Sequence, residues 1–406
     1  MDLAFYTNFS NSLVSQEAQL NKLQTQISTG LAVQTPDQNP AAFQSASSGN
    51  DQIAALANEN TTGASIQVQL GSVNDSYQSV SNLFNNVQSV LESALNGTTS
   101  AQNLNALASQ IQSASQQLIA IGNTTAPNGT YLFGGSRGTI APFQANGSGV
   151  IAYLGDSGQS QASITPDSVA STIANGNAFM TALSGDGTAS VTASATNTGT
   201  GQLISNGPVN ATAASAFQAG STPISLSFAA SGTGSGTVYT ATQGGTTIAT
   251  GTLTPDAAET SLQLAGVSYQ ITGAPAAGDS FTLTPSRPQS AFALLSTIHS
   301  ALANAGTTKA EVAQTNQILD QSLAALNQYQ QSVVTAQAQN GVTLQAIANA
   351  ATSNTNQSTA LQTGVQNAVG VNTPVAIASL DQTLTALQAA MKTFGTVQNL
   401  SLFNYL

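Results

Sequence analysis

Residues 66–94 read IQVQLGSVNDSYQSVSNLFNNVQSVLESA, and their apolar positions decide the fold. Ile66, Leu70, Val73, Tyr77, Val80, Phe84, Val87, Leu91 and Ala94 follow one another at alternating steps of four and three. That is the a and d spacing of a heptad seam, whereas a strand alternates every second residue. The stretch therefore predicts a long helix that lays one apolar stripe on another helix. Asn96-Gly97-Thr98-Thr99-Ser100 breaks it, since Gly and Asn stop helices and Ser or Thr start them. The seam then resumes at Leu104, Leu107, Ile111, Ala114, Leu118 and Ile121, which predicts an antiparallel return.

Both ends of the chain repeat the pattern. Leu13, Leu20, Leu23 and Ile27 form a stripe that ends at Gly30 and the Pro36/Pro40 segment. Phe292, Leu295, Ile298, Leu302 and Ala305 keep three/four spacing up to Gly306-Thr307-Thr308. Leu319, Leu326, Val333, Ile347 and Leu361 then share one seven-residue repeat, with Asn340 and Asn354 on the same row. Polar seam residues weaken a helix pair but set its register. Unbroken, Thr308–Ala368 would be ~90 Å long at the helical rise. Asn372-Thr373-Pro374 starts the last helix, with Thr373 as cap and Pro374 at the first helical position. That helix carries Ile377, Leu380, Leu384, Leu387, Met391 and Phe394.

From Gly138 to Gln289 the apolar period falls to two: Ile224, Leu226, Phe228; Val267, Tyr269, Ile271; Phe281, Leu283. These read as half-buried strands, and Gln243-Gly244-Gly245 reads as a hairpin turn. Ser184–Gly201 has almost no large apolar residue and reads as a surface excursion. The fold class is multidomain α and β. Long coiled-coil-like helices from both termini pack together, and a mainly-β domain is inserted in the middle of the chain. The expected division is 1–40 and 371–406 for an inner helical domain, 41–137 and 290–370 for a second helical domain, and 138–289 for the β domain.

Composition narrows the function. Charged residues make up 5% of the 406, against about 25% in ordinary soluble proteins. Net charge is −11, with five Lys and Arg scattered singly, so phosphate-gripping surfaces and nucleic-acid partners are excluded. One His, no Cys and no Trp leave thiol chemistry, zinc sites and triads without their parts. His299 reads as a polar helix position beside Ile298 and Leu302. No catalytic, cofactor or metal site is predicted. No apolar run reaches the ~18 residues of a membrane span, so no membrane insertion is expected. Residues 1–6 lack the basic and apolar regions of a cleavable signal peptide. With few charges on the seams, partner choice must rest on packing shape and on Asn and Gln hydrogen bonds.

Ile27-Ser28-Thr29-Gly30, followed by Val33, Pro36, Asp37, Asn39, Pro40 and Ala41-Ala42, resembles the N-terminal signature of the flagellin-like superfamily. The Pro-containing form is more similar to its hook-associated members than to filament flagellins. Asn128-Gly129-Thr130-Tyr131-Leu132-Phe133-Gly134-Gly135 with Pro142-Phe143 resembles the exit from that family's first helical hairpin, and Tyr153-Leu154-Gly155-Asp156 resembles its next recurring patch. Gly273-Ala274-Pro275-Ala276-Ala277-Gly278-Asp279-Ser280-Phe281 is similar to a hook-associated β-domain motif, and Leu400–Leu406 is similar to a hook-associated terminus. Gln38 and Asn39, standing between Asp37 and Pro40, depart from the usual acidic pair.

The resemblance implies a structural, non-enzymatic junction protein of the bacterial flagellum, without cofactors. Its partners would be hook-associated protein 1, flagellin and copies of itself in a ring. Before assembly they would be an export chaperone and the type III export apparatus. It would be extracellular, exported without a cleavable signal. The terminal helices would form the inner assembly surface through Leu13, Leu20, Leu23, Ile27, Ile377, Leu380, Leu384, Leu387, Met391, Phe394, Leu402, Phe403 and Leu406. A filament flagellin is the nearest alternative, although Pro40 and the Phe403–Leu406 end speak against it. A secreted β-rich adhesin or glycan-binding protein is the other, although it gains nothing from seams at both ends.

Overall fold

The computed structural model describes residues 3–96, 100–147, 149–158, 160–232, 236–253 and 259–403. The chain begins with α1 (Leu3–Thr29), α2 (Pro40–Leu95) and α3 (Ala101–Gly122). The short strands β1 (Phe143–Ala145), β2 (Ile151–Tyr153), β3 (Gln161–Thr165) and β4 (Ser168–Ser171) come next. After them are α4 (Gly176–Met180), β5 (Thr181–Leu183), β6 (Ala189–Ala193), β7 (Gln202–Pro208) and α5 (Ala211–Ala219). Strands β8 (Ile224–Ala230), β9 (Thr237–Gln243), β10 (Thr246–Leu253), β11 (Glu259–Leu264), β12 (Val267–Thr272), β13 (Ser280–Pro285) and β14 (Pro288–Ser290) complete the middle. The chain returns to helix with α6 (Ala291–Ala303), α7 (Lys309–Val369) and α8 (Thr373–Phe403).

Two compact units result. One holds Met1–Gly63, Ser163–Ser168 and Ala348–Leu406; the other holds Ala64–Ala162 and Val169–Ile347. The sequence breaks at Gly30–Pro40 and at Asn372–Pro374 point to boundaries near 40 and 370, whereas the units divide inside α2 and α7. Ala46, Leu56, Ala350 and Val369 are buried beyond those breaks, in the ends of α2 and α7 that belong to the first unit.

In the second unit the predicted seam is a core. Ile66, Leu70, Val73, Tyr77, Val80, Phe84, Val87 and Leu91 are all buried. Phe84 of α2 meets Tyr329 of α7 at 6.0 Å between ring centroids. The Asn340 side-chain amide donates to the Leu70 carbonyl at 2.9 Å, so this polar seam residue reads one position on the facing helix. α3 starts at its Ser100 cap. The His299 ring of α6 bonds the Ala108 carbonyl of α3 at 3.0 Å, which makes it a tie between two helices. α7 starts with a capping box: Thr308 N–H donates to Glu311 Oε2 at 2.9 Å, and Glu311 N–H donates to Thr308 Oγ1 at 3.2 Å. The Thr308 N–H, the Thr308 hydroxyl and the Thr307 N–H, all donating to it, hold the Glu311 carboxyl below the usual carboxylate range.

The β region forms a five-stranded sheet in the order β10-β9-β8-β13-β6 and a three-stranded sheet in the order β11-β12-β7. Gly244 and Gly245 turn β9 into β10, with Gln243 opposite Thr246. Leu203, Leu226, Val267, Tyr269 and Leu283 fill the core between the sheets. Buried Asp279 ties the loops, accepting from Thr198 N–H at 2.8 Å and Ala276 N–H at 2.8 Å.

The expected surface excursion at 184–201 is instead partly strand. β6 pairs with β13 from Ala189↔Pro285 to Ala193↔Phe281, and Ala189 and Val191 are buried. Small side chains escape an apolar-period reading because alanine packs a sheet face without standing out in the pattern. Two further strand edges are closed by α7. Val191 N–H donates to Gln321 Oε1 at 3.0 Å. Gln317 takes Leu203 as a neighbouring strand would, its Oε1 accepting from Leu203 N–H at 2.7 Å and its Nε2 donating to Leu203 O at 2.9 Å. Gln314 donates to the Asn197 carbonyl at 3.0 Å on the same face.

Gln317→Leu keeps the volume but strands a buried N–H and C=O. We expect a loss of about 2–4 kcal/mol in the unfolding free energy of this unit, read by denaturant titration. Gln317→Glu, which would set a buried carboxylate against the Leu203 carbonyl, should cost at least as much. A second test concerns Asp320 of α7, whose carboxyl is pushed up to about 6 by burial. Its folded-state pKa is raised, so the ionised form opposes folding. That cost is absent below the ordinary value of 3.8, grows as pH rises towards about 6, and stays constant above. Asp320→Asn should therefore stabilise the protein at pH 7.5, by about 1 kcal/mol after allowance for solvent screening, and by nothing at pH 3.5. Equal gains at both pH values would refute the assignment.

Candidate assembly surface of the terminal helices

α1 runs without Pro or Gly until Gly30, whose φ of +74° ends it in the left-handed conformation that glycine adopts most cheaply. The chain leaving α1 is fastened to the α7–α8 joint. Ala32 N–H donates to Val369 O at 2.7 Å, and Val371 N–H donates to Gly30 O at 2.9 Å. Gln26 Nε2 adds a bond to Ala32 O at 2.8 Å. This clasp brings the two sequence breaks together and sets α1 beside α8. The next helix on each side starts from an Asn. Asn39 Oδ1 accepts from Ala42 N–H at 3.1 Å, with Pro40 at the first helical position. Asn39, a departure from the family pattern, is thus the cap of α2. In α8 the cap is Asn372, which accepts from Val375 N–H at 3.3 Å, rather than the expected Thr373, and Pro374 is the second helical residue.

Along the pair, Leu23 is buried at 6% exposure, and Leu13, Leu20 and Ile27 are half-buried. On α8, Leu380, Leu384, Leu387 and Phe394 are half-buried. Ile377 and Met391 are not in the seam: they stand 45% and 51% exposed. The inward row is Ala376, Leu380, Thr383, Leu387, Ala390 and Phe394, at steps of four and three, with Ala376 buried. A reading weighted by side-chain size selects the Ile377–Leu384–Met391 row, one position over. The side chains of Leu402 and Phe403, and all of Leu406, lie outside the described residues.

The sequence reading also missed the aromatic end of the pair. Phe9 stacks on Phe394 at 4.5 Å and 6°, and Tyr6 meets the same ring edge-on at 5.7 Å. The signal was there: Tyr6 precedes Leu13, Leu20 and Ile27 by the same seven residues, and Phe9 lies fourteen before Leu23. No ion pair joins the two helices; among the described residues the single one is Arg137–Asp156, at 3.8 Å in the other unit. Among those residues there is also no group of three His, Asp or Glu placed to hold a metal, and no helix long and apolar enough to cross a membrane. What the arrangement offers is a helix pair with an apolar seam and only four charged side chains, Glu17 and Lys22 on α1 and Asp381 and Lys392 on α8, all of them exposed.

Residues 2–137 match the family described as the bacterial flagellin N-terminal helical region. Over 139 residues the chain is 32% identical to flagellar hook-associated protein 3 of Escherichia coli (strain K12), covering 34% of this chain and 44% of that protein. FlgL of Xanthomonas campestris superimposes with a TM-score of 0.68 at 26% identity, over 78% of this chain and 99% of its own. The fold of this chain is FlgL-like. A flagellar hook-associated protein-3 from Legionella pneumophila, 23% identical, shares the fold with a TM-score of 0.71 over 79% of this chain and 97% of its own. The FlgL-like architecture is the expected one, with helices from both ends and a mostly-β middle.

Phe394→Ala tests how the pair is closed. Removing the ring that both Tyr6 and Phe9 touch should cost about 1–3 kcal/mol locally, since the site is half-buried. Hydrogen exchange should quicken across residues 4–13 and 388–396, while amides around Leu23 and the Gly30–Val371 clasp keep their protection. Unchanged exchange in the first segment would show that the aromatic contact does not hold α1.

Proposed function

We propose that this protein is a structural junction protein of the bacterial flagellum. It joins the hook, through hook-associated protein 1, to the flagellin filament, and copies of itself close a ring. It works by assembly and not by turnover, outside the cell, after export with the aid of a chaperone. The observation that carries the reading is the unfinished state of the α1–α8 pair. Val14, Val375, Ile377 and Met391 stand 63%, 60%, 45% and 51% exposed on it. Burying one such side chain fully is worth about 1.5–3 kcal/mol, a gain that a lone helix pair leaves unrealised. Neighbouring terminal helices would realise it. The likeness to hook-associated protein 3 and to FlgL supports a place at the junction over one within the filament. Asn39-Pro40 at the start of α2 supports it too.

Ile377→Asp with Met391→Asp tests this without touching the inward row. Both side chains are about half exposed in the isolated chain, so its unfolding free energy should stay within about 1 kcal/mol of the original. In an assembled shell two carboxylates would be buried without partners, at a cost of several kcal/mol. Cells carrying the variant should export it, fail to retain it at the hook tip, shed flagellin and swim poorly. Normal filaments containing the variant would overturn the proposal.

A further inference from the structure

Each of the two large sheets has one edge closed by α7 and, among the described residues, one edge without a further strand. Their inner edge strands, β6 and β7, are sealed by Gln321 and Gln317 of α7. At the other end of the five-stranded sheet, β10 has no strand beyond it among the described residues. Natural edge strands left open are commonly guarded by a Lys, a Pro or an inward-pointing charge. β10 reads TTIATGTL and carries none of these. From Gly187 to Pro255 the chain has no Asp, Glu, Lys or Arg at all, so β8 and β9 add no guarding charge either. The single irregularity is a bulge between Thr247 and Ala249, at which Ile248 is 45% exposed. Past it the register is regular, with Ala249 opposite Ala241 through to Leu253 opposite Thr237.

We infer that β10 is a self-association edge. Ala249–Leu253 of one copy pairs antiparallel with the same residues of a second copy, about a two-fold axis through Gly251, and the five-stranded sheet continues from one molecule into the other. The segment is self-complementary under that operation. Thr250 of each copy falls opposite Thr252 of the other, and both are exposed, so the outer face gains two Thr–Thr cross-strand pairs. On the opposite face, half-buried Ala249 meets buried Leu253. At the axis Gly251 has no side chain to hold the strands apart, and the Tyr239 ring covers it from the neighbouring strand. A strand bearing charge would bring an unmatched ion to an uncharged sheet, whereas a copy of β10 brings none. Such two-fold pairing is isologous and closes at two copies. Rotation about a ring does not generate it, so it joins free copies or copies of different rings and stands apart from the junction reading.

Sedimentation equilibrium of the purified full chain tests this between about 1 and about 100 µM. The mass should rise from one chain towards two. Thr250→Lys with Thr252→Lys sets four ammonium groups along the seam of a pair and should hold the mass at one chain throughout. Its unfolding midpoint should fall only slightly, because both side chains are exposed and the one bond lost is the exposed Thr250 hydroxyl to the Tyr239 carbonyl at 3.1 Å. Thr250→Val with Thr252→Val should pair at least as well as the original. Ile377→Asp with Met391→Asp should also pair undiminished, which separates this edge from the terminal helices. The inference is overturned if the original chain stays single over the whole range. It is equally overturned if the double-Lys variant pairs as the original does, or if the Ile377/Met391 variant alone abolishes pairing.

Discussion

A helix pair of ordinary composition takes much of its register and partner choice from charged residues flanking the seam. With five cations in 406 residues, that means is closed to this chain. Side-chain amides bonded to backbone carbonyls and amides take its place. Asn340 holds the Leu70 carbonyl of the facing helix, Asn354 holds the Ile164 carbonyl at 2.8 Å, and Gln317 and Gln321 hold the backbone of two edge strands. Each such bond adds only about 1 kcal/mol net, but a wrong register would leave buried backbone groups unpaired at a larger cost. The discrimination therefore comes from the penalty for misplacement. Buried amide bonds are also little screened by salt, unlike exposed ion pairs.

The helical stripes were legible because Leu, Ile, Phe and Tyr at three/four spacing leave one physical solution. From Ile66 to Leu91 every seam position read from the sequence is buried. The strands Ile224–Ala230 and Val267–Thr272 were legible for the same reason at period two. Legibility failed where small or polar residues do the packing. Ala189 and Val191 make a core strand from a segment poor in large side chains. Gln314, Gln317 and Gln321 look like solvent-facing positions until the strand edges they seal are in view. On α8 the inward row contains Ala376, Thr383 and Ala390, so the larger Ile377 and Met391 drew the reading one position aside. In each case the deciding partner lies far away in the chain, and local spacing carries no information about it.

Hydroxyl groups supply the rest of the polar surface, in a particular way. Along α7, Thr355, Thr359 and Thr363 each donate to the carbonyl four residues back, at 2.7, 2.9 and 3.0 Å. Thr25 and Thr29 of α1 do the same at 2.8 Å. Such bonds satisfy the hydroxyl internally and weaken the helix slightly. Thr also has a lower helix propensity than Lys or Glu. Helices built this way draw little stability from themselves and depend on tertiary contact for it.

That dependence falls unequally on the two units. Tyr269, Tyr329, Phe84, Phe133, Phe281, Leu91 and Ile111, among the largest fully buried side chains, all belong to the unit that holds the β region. In the other unit the α1–α8 pair meets along Leu23, Ala376, half-buried leucines and one aromatic cluster. Small residues let two helices approach closely but bury little area per turn. A seam that mixes such small residues with a few leucines and one aromatic cluster is well aligned yet weakly held, and Val14, Val375, Ile377 and Met391 are left turned outward. A terminal pair of this kind is positioned by the Gly30–Val371 clasp and completed by what packs around it. The only charged side chains among its exposed residues are Glu17, Lys22, Asp381 and Lys392, so most of the rejection of wrong neighbours must come from the fit of knobs and holes.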